Sequence, residues 1–393
     1  MRKVLIIGGG FAGCAAAHQL SELENLEIDL IEKASFLGAG NKTRWYGGHP
    51  YTFGPRHFLT PYEDVFKYLN DILPINLCPE HEFLSYVEKD NDFYAYPINM
   101  QDVKNMPEFE KINNELKECK RQIKKGHIQA NNLEEYWINS VGKTLYKKMI
   151  EPYNKKMWLV DDVKKIDTFK WSPKGVTIKD GPRAAWDNIY SGYPFDKNGY
   201  DHYFTYATES INVFLNTSVE KIDIDRKTVV IDGNQKKYDI IVNTIGIDDL
   251  FSKKFGALPY LGRKLELIVL PVEEAFPKDV FFLYYTGSES FTRLVEYKKF
   301  TKHKSKNTLI GMEIPVDNGG KDYPMPFKSA QLLALKYLKT LPNNFYSMGR
   351  AGSYLYGIDI DDCIKQSFYL KDMIKEDNFE YPVPGKQYHF PEL

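Results

Sequence analysis

The hydrophobic pattern of the first 32 residues predicts a β-α-β unit. An uninterrupted apolar run at residues 4–7 is typical of a buried strand. Small residues then occupy positions 12–23 at helical spacing, and residues 28–31 form a second apolar strand that ends at Glu32. A strand, a helix and a second strand within about 30 residues indicate the opening of a Rossmann-type parallel sheet.

Three glycines lie between the first strand and the helix in the spacing G-x-G-x-x-G. In that motif Gly8 makes the tight turn, Gly10 lets the backbone approach a pyrophosphate, and Gly13 lets the helix pack closely on the strand. The helix N-terminus offers unpaired N–H groups to phosphates, and Glu32 is placed to accept hydrogen bonds from a ribose. A glycine-rich turn without a ligand is the alternative. The strand, the glycines, the helix and the acid together favour a dinucleotide site.

The remaining chain mixes helical and strand patterns. Helical spacing appears at residues 60–70, 101–125, 132–154, 327–341 and 361–374. Strand patterns appear at residues 83–98, 219–231, 238–245, 265–272, 280–285, 292–296 and 309–314. The first of these predicts a hairpin, and the stretch 239–246 is typical of a last parallel strand that ends near a cofactor. Residues 155–205 are predicted to be irregular.

Two further stretches have the composition of ordered loops. Residues 44–58 combine repeated glycine and proline with arginine, histidine and aromatic residues, and residues 347–354 form another glycine-rich turn before a helix. Such a segment is too interrupted for regular structure and too aromatic for a solvated loop. We interpret residues 44–58 as the lining of a pocket, and a packed aromatic loop of purely structural use is the alternative.

Composition and charge exclude several classes of function. The formal net charge of this 393-residue chain is −1, so no overall field attracts nucleic acid, and the lysine-rich run at 120–125 is a solvated face. The four cysteines are far apart and show no metal-ligand spacing, which predicts reduced cysteines and no metal site. No apolar run approaches the roughly 18 residues of a membrane span. Because the chain also starts directly with a strand, we expect a cytoplasmic protein without membrane insertion.

Five motifs, taken in their order and spacing, narrow the function. They are residues 53–58 (FGPRHF), 96–99 (YPIN), 153–158 (YNKKMW), 291–296 (FTRLVE) and 349–356 (GRAGSYLY). Together with the opening unit they resemble the UDP-galactopyranose mutases, from residue 1 to about residue 372. The resemblance implies FAD as cofactor, a homodimer, and an α/β fold made of a Rossmann-type FAD-binding domain, an inserted helical domain and an antiparallel β-sheet domain. The ranges expected are 1–75, 203–252 and 328–393 for the FAD-binding domain, 76–145 for the mainly helical insert, and 146–202 with 253–327 for the antiparallel-sheet substrate domain.

The resemblance also implies the chemistry. In this family N5 of reduced FAD attacks the anomeric carbon of a nucleotide sugar and expels the nucleoside diphosphate. The ring then opens on the flavin, recloses with five members, and recaptures the diphosphate. NAD(P)H is a candidate reductant, and the product feeds surface polysaccharide synthesis. No nucleic acid partner is implied.

Site residues follow from the resemblance position by position. Catalytic roles are implied for Arg293, which holds the diphosphate, for Arg183, our candidate for the mobile-loop arginine, and for Arg56 and His57 beside the flavin. Substrate contacts are implied for Tyr153, Trp158, Tyr190, Tyr356, Asp359 and Asn99. FAD contacts are implied for Gly8, Gly10, Phe11, Ala12, Gly13, Glu32, Lys33, Gly40, Asn41, Phe58, Val219, Gly349, Arg350 and Tyr356. Without that context, Tyr153 and Trp158 read as helix core and Arg293 as a surface ion-pair partner.

Departures from the family pattern leave the substrate open. Arg56 and Leu59 stand where galactose-specific members carry histidine, His57 stands where isoleucine is usual, and Ile314 replaces a tyrosine. The sugar is therefore UDP-galactose, UDP-N-acetylgalactosamine, or a GDP- or dTDP-linked sugar. Two other functions stay open: a flavin-dependent oxidoreductase of a small amine or alcohol, and a non-catalytic flavoprotein that only binds a nucleotide sugar.

Overall fold

A computed structural model describes residues 1–125, 130–167, 178–379 and 383. The strands are β1 Arg2–Ile7, β2 Leu26–Ile31, β3 Arg44–Tyr46, β4 His49–Tyr51, β5 Phe58–Thr60, β6 Ile75–Leu77, β7 Glu82–Val87, β8 Asp92–Ala95, β9 Tyr190–Pro194, β10 Asn212–Phe214, β11 Lys221–Asp223, β12 Thr228–Ile231, β13 Asn234–Lys237, β14 Ile240–Asn243, β15 Tyr260–Leu270, β16 Val280–Tyr285, β17 Arg293–Glu296, β18 Thr308–Val316, β19 Tyr323–Pro324 and β20 Phe345–Ser347.

The α-helices are α1 Phe11–Ser21, α2 Glu63–Ile72, α3 Met100–Val103, α4 Phe109–Lys124, α5 Leu133–Val141, α6 Lys143–Leu145, α7 Glu151–Trp158, α8 Asp201–Ala207, α9 Ile247–Leu250, α10 Tyr297–Thr301, α11 Lys328–Leu338, α12 Gly349–Gly352 and α13 Ile360–Glu376. Short 3₁₀ turns occur at Ala39–Asn41 and Val163–Lys165, and a π-helical turn at Tyr146–Ile150. Within the described ranges, none of these helices is long and apolar enough to cross a membrane.

The predicted β-α-β unit forms the centre of a parallel five-stranded sheet. Its strand order is β10-β2-β1-β14-β20, with β1 paired to β2 and to β14 in parallel. Both faces of such a sheet are covered by other elements. The last four residues of β1 are therefore apolar, and Val4, Leu5 and Ile6 are fully buried. Helix α1 packs on one face against α13. The strand β14 was expected to be the last of this sheet, but the three-residue strand β20 pairs beyond it.

A second sheet of seven strands lies beside the first in the order β19-β15-β18-β17-β16-β7-β8. The hairpin predicted within residues 83–98 is confirmed as β7 and β8. All neighbouring pairs are antiparallel except β16 and β7, which are parallel, so the expected antiparallel sheet contains one parallel pair. Because β7 and β8 fall within 76–145, this sheet extends into the range assigned to the helical insert. The domain boundaries stay a prediction.

The helices of the insert pack around a core of their own, but they are shorter than predicted. The expected helix at 101–125 is two helices, α3 and α4, and the expected helix at 132–154 is interrupted after α5 by Gly142, which has a φ of +84°. Lys148 is buried in this core and pairs with Asp90 in the turn of the β7–β8 hairpin, so the insert is fixed to the sheet.

The region predicted to be irregular, 155–205, contains regular elements. Helix α7 continues to Trp158, β9 lies between β5 and β6 in a small antiparallel sheet, and α8 begins at Asp201. Residues 168–177 of this region lie outside the described ranges. Aromatic residues made the short elements here hard to recognise, because their spacing follows neither period clearly.

Candidate active site

A cleft opens at the carboxyl ends of β1 and β14, the edge where parallel sheets bind nucleotides. It is lined by residues from the glycine loop, from the end of β2 and from the turn before α12. Those expected to contact the cofactor are Gly8, Gly10, Phe11, Ala12, Glu32, Lys33, Asn41, Gly349 and Arg350. The structure therefore brings most of the predicted cofactor residues together.

The carboxylate of Glu32 is fixed at the mouth of this cleft. It accepts hydrogen bonds from the backbone N–H groups of Gly9, at 2.7 Å, and of Ala34, at 2.8 Å. Each carboxylate oxygen keeps a lone pair for a further donor, as a ribose hydroxyl would require. The backbone is also tightly fitted, because a Cβ on Gly8 would lie 2.5 Å from Oγ1 of Thr244. The buried Oδ1 of Asn41 has no protein partner within the described residues. These features fit the adenosine diphosphate half of FAD.

Five predicted cofactor residues lie elsewhere. Gly13 packs against the carbonyl of Gly8, and Gly40 lies against the guanidinium of Arg56. Phe58 is fully buried, and Val219 packs against a hydrophobic cluster that includes Leu5 and Ile7 of β1. Tyr356 lines a neighbouring cavity. Gly13 and Gly40 act by leaving space for a neighbour rather than by touching a ligand. The direct cofactor contacts assigned to Phe58 and Val219 stay predictions that this geometry does not support.

A neighbouring cavity adjoins the cofactor cleft. The two share Pro55, Arg56, His57, Arg350 and Asp359. Of the predicted catalytic and substrate residues, the second cavity brings together Arg56, His57, Tyr153, Arg293, Tyr356 and Asp359. A ligand in this cavity would therefore meet a dinucleotide cofactor at the wall formed by residues 55–57.

Arg293, on β17, is half-buried in this cavity and is held by Glu313 of β18. Nη2 of Arg293 lies 2.6 Å from Oε2 of Glu313, and the guanidinium lies over the rings of Phe282 and Tyr284 at 5.4 and 5.7 Å. Burial alone would lower the pKa of Arg293, but Glu313 and the neighbouring tyrosines keep that pKa well above its ordinary value. Arg293 therefore stays charged at every physiological pH.

Arg350 and Asp359 form a second ion pair, at the junction of the two cavities. Nη2 of Arg350 lies 2.6 Å from Oδ1 of Asp359, and Nε donates to the carbonyl of Ile358 at 2.9 Å. Asp359 is also the N-cap of α13 and forms a capping box with Asp362. Asp359, predicted to bind substrate, thus has two structural tasks at the site.

His57 is held neutral next to Arg56. Its Nε2 lies 3.0 Å from Oγ of Ser191, and its ring lies 4.7 Å from that of His81. Burial lowers the pKa of His57 to about 3. The imidazole therefore offers hydrogen bonds at neutral pH without carrying a charge.

Four predicted site residues do not meet the cavity in this conformation. Arg183 is paired with Glu82, at 3.2 Å, and with Asp102. Asn99 caps α3, and its side-chain amide donates hydrogen bonds to the carbonyls of residues 181 and 182. The ring of Tyr190 stacks on that of Phe66, with 4.1 Å between the ring centroids. Trp158 is 2 % exposed and packs edge-on against Tyr356. Roles for these residues in substrate binding stay predictions.

Several lining residues were missed from the sequence. They are Arg263, Glu313, Tyr284, Tyr323 and Trp186. The available signal was weak. Arg263 is one of three charged residues of β15, with Lys264 and Glu266, and only its burial in the structure distinguishes it; Glu313 interrupts the apolar run of β18. Tyr323 also supplies a tyrosine to the cavity lining.

Comparisons with known proteins agree with this geometry. The sequence profile of the UDP-galactopyranose mutase family matches residues 148–356, more than half of the chain, and a profile of NAD(P)-binding Rossmann-like domains matches residues 6–72. A dTDP-fucopyranose mutase of Escherichia coli is 25 % identical over 97 % of this chain and 100 % of its own length. A probable UDP-galactopyranose mutase of Klebsiella pneumoniae is 23 % identical over 94 % of both chains.

Solved structures show the same fold. A reduced UDP-galactopyranose mutase superposes with a TM-score of 0.77 at 17 % identity, covering 96 % of this chain and 94 % of the other. A protein described as a putative protoporphyrinogen oxidase from Exiguobacterium superposes with a TM-score of 0.69 at 15 % identity, covering 96 % and 99 %. The Rossmann-type fold expected from the sequence is confirmed. The chain belongs to the UDP-galactopyranose mutase family and is a nucleotide-sugar isomerase whose cofactor is FAD.

Proposed function

We propose that the protein interconverts the pyranose and furanose forms of a dTDP-linked 6-deoxyhexose, with FAD in its reduced form. The observation that carries this proposal is an arginine-containing cavity that shares residues 55–57 with the cofactor cleft. When bound in the reduced form, FAD supplies the nucleophile for the anomeric carbon. The protein's own residues position the nucleotide sugar, hold the diphosphate and exclude water.

Arg293 is suited to hold the departing diphosphate. Its guanidinium is fixed by Glu313 and by two aromatic faces, so it loses little freedom when it binds phosphate oxygens. Nε of Arg293 is buried and has no partner among the described residues, which leaves a donor for the ligand. A fixed cation that stabilises the free diphosphate lowers the barrier to breaking the anomeric bond.

An apolar wall supports a 6-deoxy sugar. Leu59, Phe83 and Phe282 line the cavity with Trp186, and Phe83 packs edge-on against Trp186 at 5.7 Å. A hydroxymethyl group pressed against these side chains would lose its hydrogen bonds to water, at a cost of about 1–3 kcal/mol. A methyl group has no such cost. The similarity to a dTDP-fucopyranose mutase points to the same class of sugar and to thymidine as the nucleoside.

The first test is turnover on a panel of nucleotide sugars. Dithionite-reduced holoenzyme is incubated with dTDP-fucose, dTDP-galactose, UDP-galactose, UDP-N-acetylgalactosamine and a GDP-sugar, and chromatography separates the ring isomers. We expect furanose formation to be fastest with dTDP-fucose and negligible without reduction. Preference for UDP-galactose would contradict the proposed sugar and base, but not the mutase reaction.

The same panel separates the mutase from other flavoproteins. Oxidation of an added sugar, amine or alcohol without any ring isomer would identify an oxidoreductase. Binding without turnover on every nucleotide sugar would identify a non-catalytic binding protein. Cyanoborohydride added during turnover should leave a sugar covalently attached to the flavin, detected by mass spectrometry, if the flavin is the nucleophile. An unmodified flavin despite turnover would contradict that mechanism.

A further inference from the structure

The cavity contains a buried arginine that has no carboxylate at ion-pair distance among the described residues. Four arginines line it: Arg56, Arg263, Arg293 and Arg350. Arg293 and Arg350 each have a carboxylate at 2.6 Å, and Nε of Arg56 donates to the carbonyl of Gly40 at 3.3 Å. Within residues 1–125, 130–167 and 178–379, the guanidinium of Arg263 has no carboxylate at ion-pair distance.

The environment of Arg263 leaves donors unused. The residue is 8 % exposed, and both Nε and Nη1 are buried without a hydrogen-bond partner in the described residues. The guanidinium packs over the ring of Tyr323 at 4.6 Å, and Nη2 touches the sulfur of Met157. The nearby carboxylate of Asp322 accepts the backbone N–H of Arg263, at 2.7 Å, rather than its side chain.

A buried guanidinium in this state lacks compensation for its lost hydration. Burying a charge without a partner is costly, and an anionic ligand that fills the vacant donors removes most of that cost. Thioether sulfur is a weak acceptor and an aromatic face offers only a modest attraction, so neither replaces an anion. The arrangement is that of a preformed cation site for a ligand that brings its own negative charge.

Strand pairing places Arg263 beside the cation already assigned to the diphosphate. Arg263 of β15 is opposite Pro315 of β18, while Arg293 of β17 is opposite Glu313 two residues further along the same strand. Residues opposite one another or two apart share a face of a sheet. Two strand spacings and two residues separate the Cα atoms by about 12 Å, which two extended arginine side chains can bridge around one pyrophosphate.

We infer that Arg263 is the second fixed cation for the diphosphate, in the role that the family resemblance gives to Arg183. This inference rests on the proposed function, because it assumes a nucleoside diphosphate in the cavity. Arg293 and Arg263 hold the pyrophosphate from two neighbouring strands. Arg183 has its own carboxylate partners, Glu82 and Asp102, and is not needed for that charge.

The test compares ligands with and without the pyrophosphate. Holoenzymes with Arg263→Met and Arg263→Lys, and the matched surface control Arg226→Met, are titrated with dTDP, UDP, thymidine and uridine by calorimetry. Arg226 lies in an exposed turn, with its side chain 83 % exposed. We expect Arg263→Met to weaken dTDP binding about 10- to 100-fold and to leave thymidine binding unchanged. Arg263→Lys should recover part of the loss, and Arg226→Met should match the parent.

The outcomes are distinguishable. Equal dTDP affinity in Arg263→Met and in the parent would overturn the inference while leaving the mutase proposal intact. Equal loss for dTDP and thymidine would show a general disturbance of the cavity and would also overturn it. Failure of the parent itself to bind dTDP or UDP would overturn the proposed function, and with it this inference. FAD absorbance of each variant, unchanged from the parent, shows that the cofactor site has kept its shape.

Discussion

Glycines at the cofactor loop differ in what a methyl group would meet. A Cβ on Gly13 would lie 1.9 Å from the carbonyl oxygen of Gly8, which is backbone and cannot move aside. A Cβ on Gly10 would meet only the Cβ of Ala39, at 3.7 Å, which is an ordinary contact. The space beside Gly10 is therefore reserved for a ligand, and the space at Gly13 is already filled by the fold.

These two positions give a matched pair of substitutions. Gly13→Ala should lower the free energy of unfolding by about 1–3 kcal/mol even without FAD, because the helix must move away from the strand. Gly10→Ala should leave the stability of the apoprotein unchanged and weaken FAD binding. Thermal unfolding of apoprotein and holoprotein measures both effects. A large loss of apoprotein stability in Gly10→Ala would contradict this assignment.

Two charged residues of the site, Arg263 and Glu313, could not be predicted from the sequence. The glycine loop and Glu32 were identifiable because five elements of one motif are adjacent in the chain. Arg263 and Glu313 acquire meaning only when β15, β17 and β18 pair and bring distant residues together. Arg183 was chosen from loop composition, which says nothing about its carboxylate partners.

Helix α13 depends at its first turn on the residue that also fixes Arg350. Asp359 accepts the N3 backbone N–H, and Asp362 accepts the backbone N–H of Asp359 in return at 2.9 Å. Because the cap and the ion pair use the same carboxylate, the position of Arg350 is coupled to the start of the helix. This couples a helix end to the cofactor cleft.

Two substitutions at Asp359 separate the cap from the ion pair. Asp359→Ala should cost about 1 kcal/mol of stability and release Arg350, whereas Asp359→Asn should keep most of the cap and lose only the charge. Chemical denaturation measures the stability of both variants, and flavin fluorescence reports FAD release. If both variants lose the same stability, the carboxylate stabilises through its charge and not through the cap.

Secondary-structure elements were predicted correctly where the sequence pattern lies within a short segment of the chain. They were missed where a strand depends on pairing with a segment far away in the sequence. The hairpin β7–β8 and the unit β1-α1-β2 were predicted because each signal lies within about 30 residues. The strand β20 was missed, since three residues carry no period, and it exists only because β14 offers a paired edge. The parallel pairing of β7 with β16 joins segments about 200 residues apart, and neither segment has a sequence pattern that predicts the pairing.

The stability of the whole molecule should depend on pH through His57. Burial holds its pKa at about 3 in the folded protein, against an ordinary value of 6.5, so the unfolded chain binds the proton more readily between those values. Stability contributed by neutral His57 is fully present above pH 6.5 and decreases as the pH falls, by about 1.4 kcal/mol per pH unit between about pH 6 and pH 3.

Denaturation at pH 7 and at pH 5 in the parent and in His57→Gln measures this contribution. The parent should lose more stability than the variant on acidification, because glutamine keeps a hydrogen bond to Ser191 without titrating. The other histidines with a lowered pKa, including His18 and His49, are common to both proteins, and their contributions cancel in the difference. Equal losses in both proteins would show that His57 is as easily protonated in the folded protein as in the unfolded chain.

The position of β20 has a consequence for synthesis of the chain on the ribosome. The glycine loop emerges first, but the strand that completes its sheet, Phe345–Ser347, is followed at once by Gly349 and Arg350 of the opposite cleft wall. Residues 345–350 therefore provide both the last strand of the sheet and one wall of the cofactor cleft. We expect a nascent chain that lacks this stretch to carry the sequence signature of a flavoprotein without a complete cofactor cleft. Flavin capture should thus follow the synthesis of residues 345–350.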